Sequence, residues 1–304
     1  MKNILIIGAS LVVLGIMFVA AGYFLAGRNL AGFNSKNNHY EKKTYECKGD
    51  IDSIKVDESS DHLTVCSGDV DKVTVTYFDR KNEELYDIDE NGGTLTVTRN
   101  SNKGFHFFEI DFTDKSTVIT LPKEYNGKLD LHTSSGGMEI NDVTASDIIA
   151  ENTSGSMKLR NVTGDAISVE NNSGGIRLEN ITSGSDLTVG NTSGSVAFEN
   201  VTSGGDLKIK GRSGGIRIDN LSAEGDIDIV NSSGSIKFES LSAEGNINLK
   251  NTSGGIKGTI KGNRSDYKIS SKTTSGGNNL TESDSGSKEL NAETTSGGIK
   301  IDFE

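Results

Sequence analysis

Residues 213–235 read Ser213-Gly214-Gly215-Ile216-Arg217-Ile218-Asp219-Asn220-Leu221-Ser222-Ala223-Glu224-Gly225-Asp226-Ile227-Asp228-Ile229-Val230-Asn231-Ser232-Ser233-Gly234-Ser235. The tripeptide Ser-Gly-(Gly/Ser) at both ends of this stretch recurs at Ser135, Ser154, Ser173, Ser193, Ser213, Ser233, Ser253, Ser275 and Ser296, at spacings of 19 to 22 residues. So regular a period marks a solenoid, in which each repeat buries its apolar face only against its neighbours. Three and five residues after the serine stand aliphatics such as Ile176 and Leu178, or Ile216 and Ile218. Apolar residues two apart signify a strand with one buried face. Another aliphatic follows eight after the serine (Val162, Ile181, Val201, Leu221), and then a second alternating pair such as Leu207 and Ile209. The reading is all-β: a right-handed parallel β-solenoid with about two short strands per coil of roughly 20 residues. Stacked at the usual strand spacing, nine coils make a rod on the order of 40 Å long.

The polar positions form ladders. Asn171, Asn191, Asn231 and Asn251 fall two before the serine, and Asn161, Asn180, Asn200 and Asn220 seven after it. Stacked asparagines at corners bond to one another and to turn backbone. The resulting Asn-X-Ser/Thr triplets are read as ladder chemistry, not as glycosylation acceptors. Glycines following the serines are expected at corners that need positive φ or close backbone approach.

The 304 residues carry a net charge of −12, only 6% aromatics and no tryptophan. The acidic balance argues against a nucleic-acid partner, which needs a basic face. Ile4 to Gly27 is an uncharged, largely apolar run of 24 bracketed by Lys2 and Arg28, so residues 1–28 are expected to be a transmembrane anchor, with a signal peptide cut near Val19-Ala20-Ala21 as the alternative. Arg28, Lys36, Lys42 and Lys43 favour a cytoplasmic C-terminal side. The layout of short tail, one span and acidic β-domain favours export, and an extracellular domain is the expectation. Residues 29–43 read as a linker, 44–121 as an irregular β-cap containing Phe105-His106-Phe107-Phe108, and 122–304, opened by the single proline Pro122, as the regular array with looser closing copies at Ser275 and Ser296. Cys47 and Cys66 lie 19 apart, about one coil, which allows a disulfide on adjacent rungs or two buried thiols.

Val118-Ile119-Thr120-Leu121-Pro122, followed by repeated strand–Ser-Gly-Gly–strand units, resembles the bacterial putative-adhesin family of β-strand-repeat proteins, a domain of unknown function. The resemblance covers roughly Cys47 to Glu304. It implies a parallel β-solenoid on the outer face of the membrane, of the kind found in Gram-positive, membrane-anchored cell-envelope proteins, and it brings no catalytic residues.

Chemical motifs are sparse. His39, His62, His106 and His132 show no metal-ligand spacing, and no nucleophile elbow, P-loop or His-Glu-x-x-His occurs. A non-catalytic protein without a cofactor is expected. Two charged arrays remain. Four after the serine lie Lys158, Arg177, Arg217, Lys237, Lys257 and Lys300, and six after it Glu179, Glu199, Asp219, Glu239 and Asp302. Either the two stripes neutralise one another or the basic one contacts anionic wall polymer or lipid headgroups. Asp186, Asp206, Asp226 and Asp266, with Asn246 between, form a stack that could hold Ca²⁺ or could be ordinary turn chemistry. The expected function is a membrane-anchored, cell-surface binding or structural module whose partners are envelope polymers or proteins. The alternative is a cytoplasmic, membrane-tethered β-helical scaffold that assembles end to end, as bactofilins do.

Overall fold

The computed structural model describes residues 40–100 and 115–304. The expected anchor, most of the expected linker and the Phe105–Phe108 segment lie outside them. Among the described residues no helix is long and apolar enough to cross a membrane. The chain is a parallel β-solenoid whose strands alternate between two 12-stranded sheets.

One coil shows how the sequence builds the rest. Strand β13 (Ile176–Ser183) points Ile176, Leu178 and Ile181 inward, and β14 (Leu187–Ser193) adds Leu187 and Val189, all at 2% exposure or less. The inward positions of β13 step by two, then by three. The extra residue is Asn180, at φ 54°. It bends the strand, so each coil turns three times where the sequence suggested two corners. Asp142, Asn161, Asn180, Asn200, Asn220 and Ser240 all occupy this left-handed position, with φ between 52° and 59°. Asparagine and aspartate tolerate that conformation best.

Their side chains form one directional chain. Asn161 Nδ2 donates to Asp142 Oδ1 (2.7 Å), Asn180 to Asn161 (2.9 Å), Asn200 to Asn180 (3.2 Å) and Asn220 to Asn200 (3.0 Å). The chain starts on a carboxylate, which only accepts, and ends on the Lys261 ammonium, which only donates, 3.1 Å from Asn220 Oδ1.

The inner asparagines brace the Ser-Gly corner. Asn171, Asn191, Asn231 and Asn251 each donate through Nδ2 to the carbonyl of the glycine one coil back, at 2.8 to 3.1 Å. Gly214 shows why the corner needs glycine: its φ is 125°, and a Cβ there would collide with the Gly194 carbonyl.

Both ends depart from chain order. At the N-terminal end, β2 (Ser53–Glu58) pairs with both β6 (Thr94–Arg99) and β8 (Lys128–Thr133), and β3 (His62–Gly68) with both β7 (Ser116–Pro122) and β9 (Met138–Thr144). The β6/β7 coil, later in the chain, therefore lies outside the β2/β3 coil. Beyond it the ladders become antiparallel: β4 (Thr74–Arg80) on β7, β1 (Tyr40–Glu46) on β4, and β5 (Tyr86–Asn91) on β6. Residues 40–43, expected in the linker, belong to β1, where Lys43 Nζ meets the buried Asp79 carboxylate at 2.9 Å. A polar network ties this end to the coils. Buried Glu58 accepts from Tyr86 Oη and Thr117 Oγ1, both at 2.7 Å, and Arg99 lies 2.8 Å from Asp61 and 3.4 Å from Glu58. Burial raises the Asp61 carboxyl above the usual range, against the pull of Arg99.

At the C-terminal end the inversion is mirrored. Strand β20 (Ile247–Ser253) pairs with β23 (Lys288–Ser296), and β22 (Tyr267–Ser275) lies beyond it; β21 (Ile256–Ile260) pairs with β24 (Ile299–Phe303). Ser253, Ser296 and Ser275 stack in that order, so the last copy in sequence is the penultimate coil in space. The edges are covered. Ser283 exchanges both backbone bonds with Ile269 on β22, at 2.8 and 3.1 Å. Beside β24 the side chain of Asn279 acts as a peptide: its Oδ1 accepts from Ile301 N–H at 2.9 Å and its Nδ2 donates to the Ile301 carbonyl at 3.1 Å. These bonds occupy part of the outer edges of β22 and β24, where another chain would otherwise pair.

Candidate functional site

With the core filled by aliphatics, chemistry is confined to the outward ladders. The basic row is in register: Glu139, Lys158, Arg177, Ala197, Arg217, Lys237, Lys257 and Lys300 occupy equivalent positions on successive strands. Two residues along each strand stand Arg160, Glu179, Glu199, Asp219 and Glu239.

The two halves of the row behave differently. Before Ala197 it is neutralised: Glu179 receives Arg160 Nε at 2.9 Å and also Arg177 Nε, while Arg177 Nη2 reaches Glu199 at 3.1 Å. Hydrogen bonds from Arg160 and Arg177 hold the Glu179 carboxyl down at about 2. Lys158 sits half-buried between Glu139 and Arg177. After Ala197, Arg217, Lys237 and Lys257 are exposed, and among the described residues no ion pair or hydrogen bond engages their side chains. They line a cleft of about 480 Å³ with Glu239, Ser240, Thr259, Asp302 and Glu304.

The cleft has a local cause. Strand β21 has five residues, and its register on β19 (Ile236–Ala243) shifts between Phe238 and Leu241. Gly258 stands in the column filled by Leu178, Phe198, Ile218 and Phe238; a Cβ there would strike the Phe238 carbonyl and ring. Ser240 lacks a counterpart in β21 and donates instead to Glu304 Oε1 at 2.6 Å.

The aspartate stack is engaged with turn backbone. Asp186 Oδ1 accepts from Asp206 N–H at 2.9 Å, Asp206 Oδ1 from Asp226 N–H at 3.0 Å, and Asp226 Oδ1 from Asn246 N–H at 2.7 Å. Asn246 continues with its amide oxygen, accepting from Glu289 N–H at 2.8 Å. The position thus requires an oxygen that accepts from the next coil, and charge is dispensable. Asp266 is not in the stack; it bonds Asn263 N–H at 3.1 Å beside a short 3₁₀ turn. Among the described residues no group of three or more His, Cys, Asp or Glu is placed to hold a metal ion.

The cysteine pairing is corrected. Both thiols are free. Cys47 bonds through its N–H to Val73 O at 2.9 Å, next to β4, whereas Cys66 lies on β3 opposite Thr120. With β4 and β7 between them, the two stand about three strand spacings apart, roughly 14 Å, beyond the reach of a disulfide. Burial pushes the Cys47 thiol up to about 11, so it is protonated and inert.

Sequence reasoning missed the Glu58–Tyr86–Thr117 network and the Asn279 edge. Neither recurs with the repeat, so periodicity gave no signal for either.

Among curated proteins no relative matches the chain. Solved structures give distant likenesses. A "putative adhesin" of Bacteroides fragilis is 13% identical over 87% of this chain and 98% of its own, with a TM-score of 0.37. A "putative lipid binding protein" of Parabacteroides distasonis is 16% identical over 88% and 98%, at 0.36, and a "putative cell adhesion protein" of Clostridium sporogenes is 15% identical over 87% and 99%, at 0.23. At such TM-scores these carry no weight for function. The family match does not depend on them: the Toastrack DUF4097 model fits residues 51–208 and again 183–304. The in-register coils and the sequence match agree, and the chain belongs to the Toastrack DUF4097 family.

Proposed function

We propose that this protein is a non-catalytic, adhesin-like module displayed on the cell surface, held to the membrane by residues 1–28 and contacting envelope components along its side. One observation carries the reading: among the described residues neither end of the stack is a plain parallel coil. Antiparallel β1 and β5 finish the N-terminal end, and the 277–283 segment lies along part of β22 and β24 at the other. A scaffold that polymerises end to end needs open terminal coils. With irregular ends, the long ladder faces are the surface this reading assigns to contact.

Protease shaving of intact cells making the full chain tests the location. External protease should remove the 40–304 domain from intact cells. A domain digested only after lysis would overturn the surface reading in favour of a cytoplasmic, membrane-tethered protein.

A further inference from the structure

The geometry points to a binding site for a linear polyanion along Arg217, Lys237 and Lys257, continuing to Lys300. This deepens the surface-module reading and rests on it only for where the polymer is met. Three observations support it.

First, the four cations stand on adjacent strands in register, one strand spacing apart, about 4.8 Å. Like charges in file repel by somewhat under about 1 kcal/mol per neighbouring pair even in water. The same ladder avoids that repulsion elsewhere: Ala197 interrupts it, and Arg177 is tied to Glu179 and Glu199. Only beyond Ala197 are successive cations left unpaired, in a protein whose net charge is −12.

Second, those cations border a depression. Arg217, Lys237 and Lys257 line a cleft of about 480 Å³ beside the five-residue strand β21, where its register on β19 shifts.

Third, the flanking charges select the shape of the partner. Glu239, Asp302 and Glu304 line the same cleft. A planar anionic surface, such as a membrane of acidic lipid, would press against these carboxylates together with the cations. A single-file chain laid along the row meets the cations in succession, with the row of carboxylates to one side of it. The partner class is therefore a flexible polymer bearing phosphate or carboxylate groups at short intervals.

The test uses the purified full-length chain in non-ionic detergent with long-chain inorganic polyphosphate as probe, titrated at several salt concentrations. Orthophosphate and phosphatidylglycerol vesicles form the comparison arms. Wild type should bind polyphosphate well above orthophosphate and vesicles. Combined Arg217→Gln, Lys237→Gln and Lys257→Gln should weaken binding about tenfold or more, and should make the plot of log affinity against log salt shallower by about 2, at roughly 0.7 per lost contact. A control removing three other exposed lysines (Lys55→Gln, Lys81→Gln, Lys268→Gln) should stay near wild type. Equal losses in the two triple variants would reduce the effect to net charge and overturn the site. Absence of polyphosphate binding would overturn it outright, and preferential binding to the vesicles would replace the polymer by a membrane surface. None of these outcomes depends on which side of the membrane the domain occupies, so shaving and titration fail independently.

Discussion

Between Met157 and Ala243 each coil lies against the coils that flank it in the chain, whereas beyond Ser253 the order is inverted and Ser296 lies between Ser253 and Ser275. The interior is held by repetition: successive coils offer one another inward aliphatics, a left-handed residue that is most often asparagine, and a Ser-Gly corner. The end is held by particulars, namely the Asn279 carboxamide on Ile301 and the Ser283 bridge to Ile269. Repetition fixes register; particulars decide where the stack stops.

The interior should be the more fragile to a buried charge. Ile216 is 2% exposed, packed between coils on both sides. Ile216→Asp places a carboxylate there without a partner and should cost about 4 kcal/mol or more, read as a lowered midpoint in chemical denaturation. A neutral result would mean that Ile216 does not face inward.

The corner glycines sharpen the contrast. Gly214→Ala forces a Cβ onto the Gly194 carbonyl at φ 125° and should cost about 2 kcal/mol or more. At the end of the stack a Cβ on Gly277 would meet nothing within 4 Å, so Gly277→Ala should be near neutral. Equal costs at the two positions would erase the distinction between packed corner and open end.

Asn279→Ala removes two hydrogen bonds to the Ile301 backbone and one to Asp302 Oδ1 from the edge of β24, and should cost about 1 kcal/mol. Its signature is local: the Ile301 amide should lose hydrogen-exchange protection while interior amides such as Ile218 keep theirs. Protection lost evenly along the rod would show that the end is not a separate unit.

The smallest effect lies in the neutralised half of the charged row. The Glu179 carboxyl falls from the usual 4.5 to about 2 on folding. A lowered folded-state value contributes stability above pH 4.5 that is lost as pH falls toward 2. Being near the surface, it amounts to under about 1 kcal/mol. Glu179→Gln should flatten that part of the acid limb. An unchanged acid limb would show that the Arg160 and Arg177 contacts contribute nothing in solution.

Much of the coil was legible because it is local and repeated. The inward aliphatics, the asparagine ladders and the corner glycines were all placed by spacing from a serine. The third turn was present too, as the three-residue step from Leu178 to Ile181, but it reads as a corner only once Asn180 is seen to be left-handed. The inverted ends were not legible, and for a physical reason. Ser275 and Ser296 bring the same Ser-Gly-Gly corner, so spacing from a serine does not fix which of the two stacks on Ser253. The cysteine spacing misled for the opposite reason: Cys47 and Cys66 are one period apart in a region where β4 and β7 interrupt the period. In the aspartate stack, Asn246 was already the clue that an acceptor oxygen, not charge, is what the position needs.

Coil order at the C-terminal end is read most directly by disulfide trapping, in a chain carrying Cys47→Ala and Cys66→Ser. Ser253→Cys with Ser296→Cys places the two thiols on adjacent strands and should cross-link efficiently on mild oxidation. Ser253→Cys with Ser275→Cys leaves them two strands apart, about 10 Å, and should not. The reverse pattern, with residues 253 and 275 cross-linking and residues 253 and 296 failing, would put the coils in chain order and contradict the irregular end on which the functional reading depends.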